Sequence, residues 1–137
     1  MILSAEQIAR IRKILKNSKT IAVVGLSPKP HRPSHQVASY LMEAGYTIIP
    51  VNPGQDAILG QTCYPSLRDI PSPVDMVDIF RRPEAILPIV EDAIDIGVKF
   101  IWMQEGIINM EAAAKAEAAG LTVVMDRCTK IDHMCLL

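Results

Sequence analysis

Apolar positions recur along this chain with two alternating periods. Ile8, Ile11 and Leu15 share one helical face, and Ser4 with Gln7 has the spacing of a capping box, so residues 4–17 are predicted to form a helix that ends near Asn17 and Ser18. The next run, TIAVVG (20–25), is β-branched and almost wholly apolar, the signature of a strand buried on both faces. Val37, Tyr40, Leu41 and Ala44 then return to helical spacing, predicting a helix over about 34–44 that closes at Gly45. Strand patterns follow in YTIIPV (46–51), VDMVDIF (74–80), VKFIWM (98–103) and LTVVM (121–125). Helical patterns fall between the later ones, over 84–96 and in MEAAAKAEAA, which Asn109 can cap and Gly120 can end. Two prolines interrupt this scheme. Pro50 predicts a strand end or a distortion, and Pro88 predicts a helix that starts close to it or bends. The tail, DRCTKIDHMCLL, has no clear period.

Strand, loop and helix alternate, with no run of hairpins and no Asn-Gly or Asp-Gly turn between strands. That order predicts an α/β, Rossmann-like fold: about five mainly parallel strands with helices on both faces, as a single domain over 1–137. Half the 137 residues are apolar and 21% are charged, which is ample for one core. In such sheets the ligand crevice lies beyond the carboxyl ends of the strands, so residues just after each strand are the candidates for binding. A net charge of -1 gives no global attraction to nucleic acid or to an anionic membrane. No apolar run approaches the length of a membrane span, and no basic segment precedes an apolar signal core, so a cytoplasmic protein is expected. Cys63, Cys128 and Cys135 are expected as reduced thiols.

The loop after the first strand is the most informative. It runs Gly25-Leu26-Ser27-Pro28-Lys29-Pro30-His31-Arg32-Pro33-Ser34-His35 directly into a helix. Gly25 permits a sharp turn near a ligand, the helix start offers unpaired N–H groups, and Lys29, Arg32 and the histidines add positive or proton-donating groups. Phosphate is the natural guest of such a loop, and its prolines limit the entropy lost on ordering. The dinucleotide fingerprint is absent, since Ser27 and Pro30 stand where G-x-G-x-x-G needs glycines. The second strand ends in Asn52-Pro53-Gly54 rather than in an acidic residue for ribose hydroxyls, which disfavours NAD and suits a phosphorylated ribose. After the third strand stands Ile79-Phe80-Arg81-Arg82-Pro83-Glu84, where one arginine is expected to face the crevice and the other solvent, against the simpler reading that both are solvated surface charges. After the fourth comes Gln104-Glu105-Gly106, whose carboxylate is placed to accept from an amide or adenine amine, or to cap the backbone that follows.

Five segments in order, VVGLSPKPHRPSHQV, PVNPG, VDIFRRPE, WMQEGI and MDRCTKIDH, resemble the coenzyme-A-binding domain family, whose Rossmann-like module also begins the succinyl-CoA synthetase α subunit. The resemblance covers essentially the whole chain and is closest to stand-alone bacterial members. It implies coenzyme A or an acyl-CoA as ligand, with Gly25, Leu26, Ser27, Lys29, Arg32 and Ser34 around the phosphates. Asn52 and Pro53, Ile79, Phe80, Arg81 and Pro83, and Gln104, Glu105 and Gly106 would line the adenosine and pantetheine path. Prolines replace the glycine-rich run of the synthetase loop. The synthetase domain with a phosphorylated histidine has no counterpart here, so the resemblance implies binding without catalysis, with a protein partner or a homodimer possible.

Other chemistry is weaker. Cys128, His133 and Cys135 lack a paired C-x-x-C, which argues against a metal site. Cys128 beside Arg127 and Lys130 is a candidate reactive thiol, able to form a mixed disulfide with coenzyme A, against the simpler reading of a buried packing residue. An oxidoreductase using NADP is the alternative from another class. No G-x-S-x-G elbow is present, His31 and His35 are expected to bind or cap, and Trp102 is expected in the core or an interface.

Overall fold

Ser4 starts the first helix through both halves of the capping box: its hydroxyl accepts from the Gln7 N–H, and the Gln7 side chain accepts from the Ser4 N–H. A computed structural model describes residues 3–137. In it this helix, α1 (Ala5–Asn17), leads to β1 (Thr20–Val24), α2 (Pro33–Glu43) and β2 (Thr47–Val51). A small excursion, β3 (Ala57–Ile58) and β4 (Gln61–Thr62), precedes β5 (Met76–Ile79), α3 (Ile86–Asp95), β6 (Phe100–Met103), α4 (Met110–Ala118), β7 (Thr122–Val124) and α5 (Thr129–Leu136).

The main sheet has five strands in the order β2-β1-β5-β6-β7, all paired in parallel, which makes the domain Rossmann-like. The chain runs outward from β1 to β2, then returns to lay β5 on the other side of β1. The order therefore reverses between β1 and β5, and their carboxyl ends open a crevice. Strand alternation sorts the core into two layers. Ile21, Val23, Met76, Phe100 and Trp102 pack against Ile11, Ile14 and Leu15 of α1 and Val37, Ala38 and Leu41 of α2. On the opposite face Ala22, Val24, Val77, Ile79, Ile101 and Met103 meet Ile86, Val90 and Ala93 of α3 and Ala112, Ala113 and Ala116 of α4.

One local expectation needs correction, and two small elements went unread in the sequence. Pro50 neither ends nor distorts β2. Residues 47 and 51 hydrogen-bond toward β1, whereas the Pro50 carbonyl accepts from Tyr64 on the outer side, so the missing N–H falls on the sheet edge, where the ladder needs no donor. A hairpin does occur: β3 and β4 pair antiparallel through Leu59 and Gly60, both at positive φ (55° and 73°), so the turn uses Leu-Gly where Asn-Gly or Asp-Gly is the recognisable signal. The tail contains α5, whose buried residues are Thr129 and Asp132 while Ile131 and Met134 are exposed. A helix with its polar side inward leaves no apolar period to read. Pro88 sits in the first turn of α3, where an N–H would lack an intrahelical partner anyway. Trp102 is fully buried and donates to the Arg127 carbonyl at 2.7 Å.

Candidate functional site

Gly25 ends β1 where β5 turns away, and its geometry admits no side chain. Its φ is +88°, and a Cβ there would lie 2.3 Å from the Phe80 carbonyl oxygen. The close approach lets the two strand ends share one floor. From it the loop climbs to α2, pinned by its own side chains: Ser34 Oγ accepts from the Ser27 N–H (3.0 Å), Ser27 Oγ accepts from the Lys29 N–H (3.1 Å), and His35 Nδ1 meets the Ser27 carbonyl at 2.9 Å. His35 is thus a brace of the loop, and His31 is exposed. Pro33 occupies the first turn of α2, and the N–H of Ser34 has no backbone acceptor among the described residues. That donor, on the positive end of the helix, points the loop's chemistry toward anions.

A cleft of about 930 Å³ opens over this loop, at the upper end of the ~300–1,000 Å³ typical of small-molecule sites. Eleven of the residues singled out from sequence line it: Gly25, Ser27, Lys29, Arg32 and Ser34 from the first loop, Phe80, Arg81 and Pro83 from the second, and Gln104, Glu105 and Gly106 from the third. Four do not. Leu26 and Ile79 are fully buried in the core, Leu26 in the layer of α1 and α2 just past the Gly25 turn and Ile79 in the layer of α3 and α4, where strand alternation turns it. Asn52 spends its amide on the Leu26 carbonyl at 2.8 Å, tying the ends of β1 and β2 together. Pro53 lines a separate, smaller pocket that meets the cleft only at Arg81. Pro33, Val37, Arg82, Ile107 and Cys128 join the lining. Arg82 is the second of the two adjacent arginines read from the sequence. Both arginines reach the cleft, correcting the expected split, with Arg81 half-buried and Arg82 exposed. Lys29, Arg32, Arg81 and Arg82 therefore face the single carboxylate of Glu105. This local positive field sits on a chain whose net charge is -1.

Glu105 does not cap the backbone after β6. Asp126 does so, holding the Gly106 N–H at 2.7 Å from a positive φ of 59° that Asp tolerates. Behind the cleft a polar cluster interrupts the apolar core. Gln104 Oε1 accepts from the Thr129 N–H (3.2 Å) and lies 2.9 Å from Thr129 Oγ1, which is 3.0 Å from Asp78 Oδ2. Burial pushes the Asp78 carboxyl up to about 8, and its contact with Thr129 only partly counters this. Nearby, Arg127 grips the buried Asp132 with two hydrogen bonds of 2.7 and 2.6 Å, which anchors α5 to the end of β7. Among the described residues no group of His, Cys, Asp and Glu is arranged to hold a metal ion, and no helix is long and apolar enough to cross a membrane.

Rossmann-like topology, a glycine floor at the strand-order reversal and a cation-lined cleft define the class of this protein as a Rossmann-like α/β domain with a cleft at its strand ends. The model of the CoA binding domain matches residues 19–134, and the chain belongs to that family. It is 44% identical over 125 residues to the uncharacterized protein YneT of Bacillus subtilis, covering 91% of this chain and 93% of YneT. A hypothetical protein from Pyrococcus horikoshii OT3 superimposes with a TM-score of 0.93 at 42% identity, over 99% of each chain. A 72-residue stretch is 42% identical to the ADP-forming acetate–CoA ligase II of Archaeoglobus fulgidus, spanning 51% of this chain and 10% of that enzyme.

Proposed function

We propose that the cleft binds coenzyme A or an acyl-CoA through its phosphates, and that the chain alone acts as a binding module rather than as an enzyme. One observation carries this reading: in a chain of the CoA binding domain family, four cations and the open end of α2 surround the cleft at the strand-order reversal. Coenzyme A carries a pyrophosphate and a ribose phosphate, and these cations are placed to neutralise them. Gly25 shapes the floor of that cleft, because any Cβ there would strike the Phe80 carbonyl and force the two strand ends apart. The lining hydroxyls of Ser27 and Ser34 are already engaged in holding the loop, which suits a rigid cradle better than a reacting group. NADP is less well served, since the Asn52 amide at the end of β2 is committed to Leu26. Cys128 lines the cleft wall and on this reading packs there.

Calorimetric titration tests the proposal. Coenzyme A is expected to bind and NADP to give no heat at the same concentration. Binding of NADP with none of coenzyme A would overturn it.

A further inference from the structure

Proton counting in the Asp78–Thr129–Gln104 cluster leads beyond the identity of the ligand. Thr129 Oγ1 has one hydrogen and two neighbours that accept, Asp78 Oδ2 at 3.0 Å and Gln104 Oε1 at 2.9 Å. The Gln104 amide cannot turn over to relieve this, because its oxygen also receives the Thr129 N–H. All three contacts are hydrogen bonds only if Asp78 carries the proton: Asp78 donates to Thr129, Thr129 donates to Gln104, and the chain is complete. Ionised, Asp78 would take the threonine proton and leave two oxygens facing each other at Gln104. Asp78 Oδ1, sealed and without a partner among the described residues, is a further reason for the neutral form.

The far end of this chain opens on the cleft. Gln104 is 4% exposed and lines it, and its Nε2 makes no hydrogen bond to protein among the described residues. Since Nε2 is not among the sealed, unpartnered atoms, it reaches the cleft surface. We propose that Asp78 is a positioning residue which, through Thr129, fixes the Gln104 carboxamide with its NH2 toward the cleft, as a neutral donor for an uncharged acceptor of the ligand such as an amide or thioester carbonyl. This rests on the reading of the cleft as the ligand site. The donor is distinct from the cations that face phosphate.

Burial, the first cause of the raised Asp78 value of about 8, places the titration within reach of experiment. β1 and β6, which flank Asp78 at Val23 and Trp102, bring no titratable side chain. α5 and its lead-in bring Cys128, Lys130, Asp132 held by Arg127, and His133 bonded to Tyr40 of α2. α2 also brings His35, which is engaged by Ser27, and α1 turns Ile11, Ile14 and Leu15 inward.

The test follows the Asp78 carboxyl carbon and the Gln104 side-chain amide by NMR across pH, with and without coenzyme A. In the ligand-free wild type both signals should move together with a midpoint near 8, and in Asp78→Asn, whose amide still donates to Thr129, the Gln104 signal should be flat. Coenzyme A affinity should fall about fivefold through the same titration in the wild type, the worth of one neutral hydrogen bond, and stay level in the variant. Thr129→Ser should keep the coupling. A Gln104 amide that ignores the Asp78 titration, or an Asp78 already ionised at neutral pH, would overturn the proposal. Failure to bind coenzyme A removes the ligand reading alone, since the ligand-free spectra still decide the relay.

Discussion

A methyl group at position 25 would sit 2.3 Å from a backbone oxygen that has nowhere to go, because Phe80 is itself fixed by its N–H to the Val24 carbonyl. Gly25→Ala should therefore destabilise the fold by at least about 2 kcal/mol, combining the left-handed backbone penalty with the clash, as read by denaturant unfolding. Arg32 tests the other property of the loop, its charge. It is exposed and lines the cleft, so Arg32→Ala should leave stability unchanged and weaken coenzyme A by about 1–3 kcal/mol in a calorimetric titration. Residues of this kind were legible in the sequence because their types announce them, a glycine before a turn or a cation at a helix start. Asp78 was not. A carboxyl inside an apolar strand run looks like an irregularity of the pattern until the fold brings to it Thr129, 51 positions away in the chain, and Gln104, itself 25 positions from Thr129.

Elements were legible wherever their buried side was apolar. Five strands and four helices announce themselves by period, and each lies within a few residues of its predicted span. α5 escaped because its inward face carries Thr129 and Asp132, and the β3–β4 hairpin because its turn is Leu59-Gly60. Strand ends also carry the pH response. Asp75, just before β5, accepts from the N–H groups of Lys19 and Thr20 at 2.9 and 3.0 Å and so ties the start of β1 to that of β5. Burial alone would raise its carboxyl, but the two N–H donors with Lys99 and Lys19 outweigh it and hold the group below its ordinary 3.8. A lowered value means stability that is present above 3.8 and lost as pH falls through the folded value. Asp75→Ala should cost about 1 kcal/mol at neutral pH, with the gap to the wild type closing in acid, measured by urea denaturation across pH. Asp78 has the opposite sign: neutral in the fold and ionised when unfolded, it makes stability decline as pH rises between 3.8 and about 8.

For the molecule as a whole, alternation of strand and helix was enough to give the parallel sheet and to place the crevice beyond its strand ends. The order β2-β1-β5-β6-β7, and with it which loops meet, comes from packing that no single stretch of sequence contains. That is why Asn52 and Pro53 were expected beside the cleft and instead brace its flank. The outer border of β2 has a consequence of another kind. A foreign strand approaching there would meet Pro50, which has no hydrogen to offer, and beyond it Tyr64, which already occupies both the Pro50 carbonyl and the Asn52 N–H. The opposite border, β7, is three residues long. A sheet bounded in this way offers little template for strand addition, so it is guarded against the edge-to-edge stacking that begins amyloid-like aggregation.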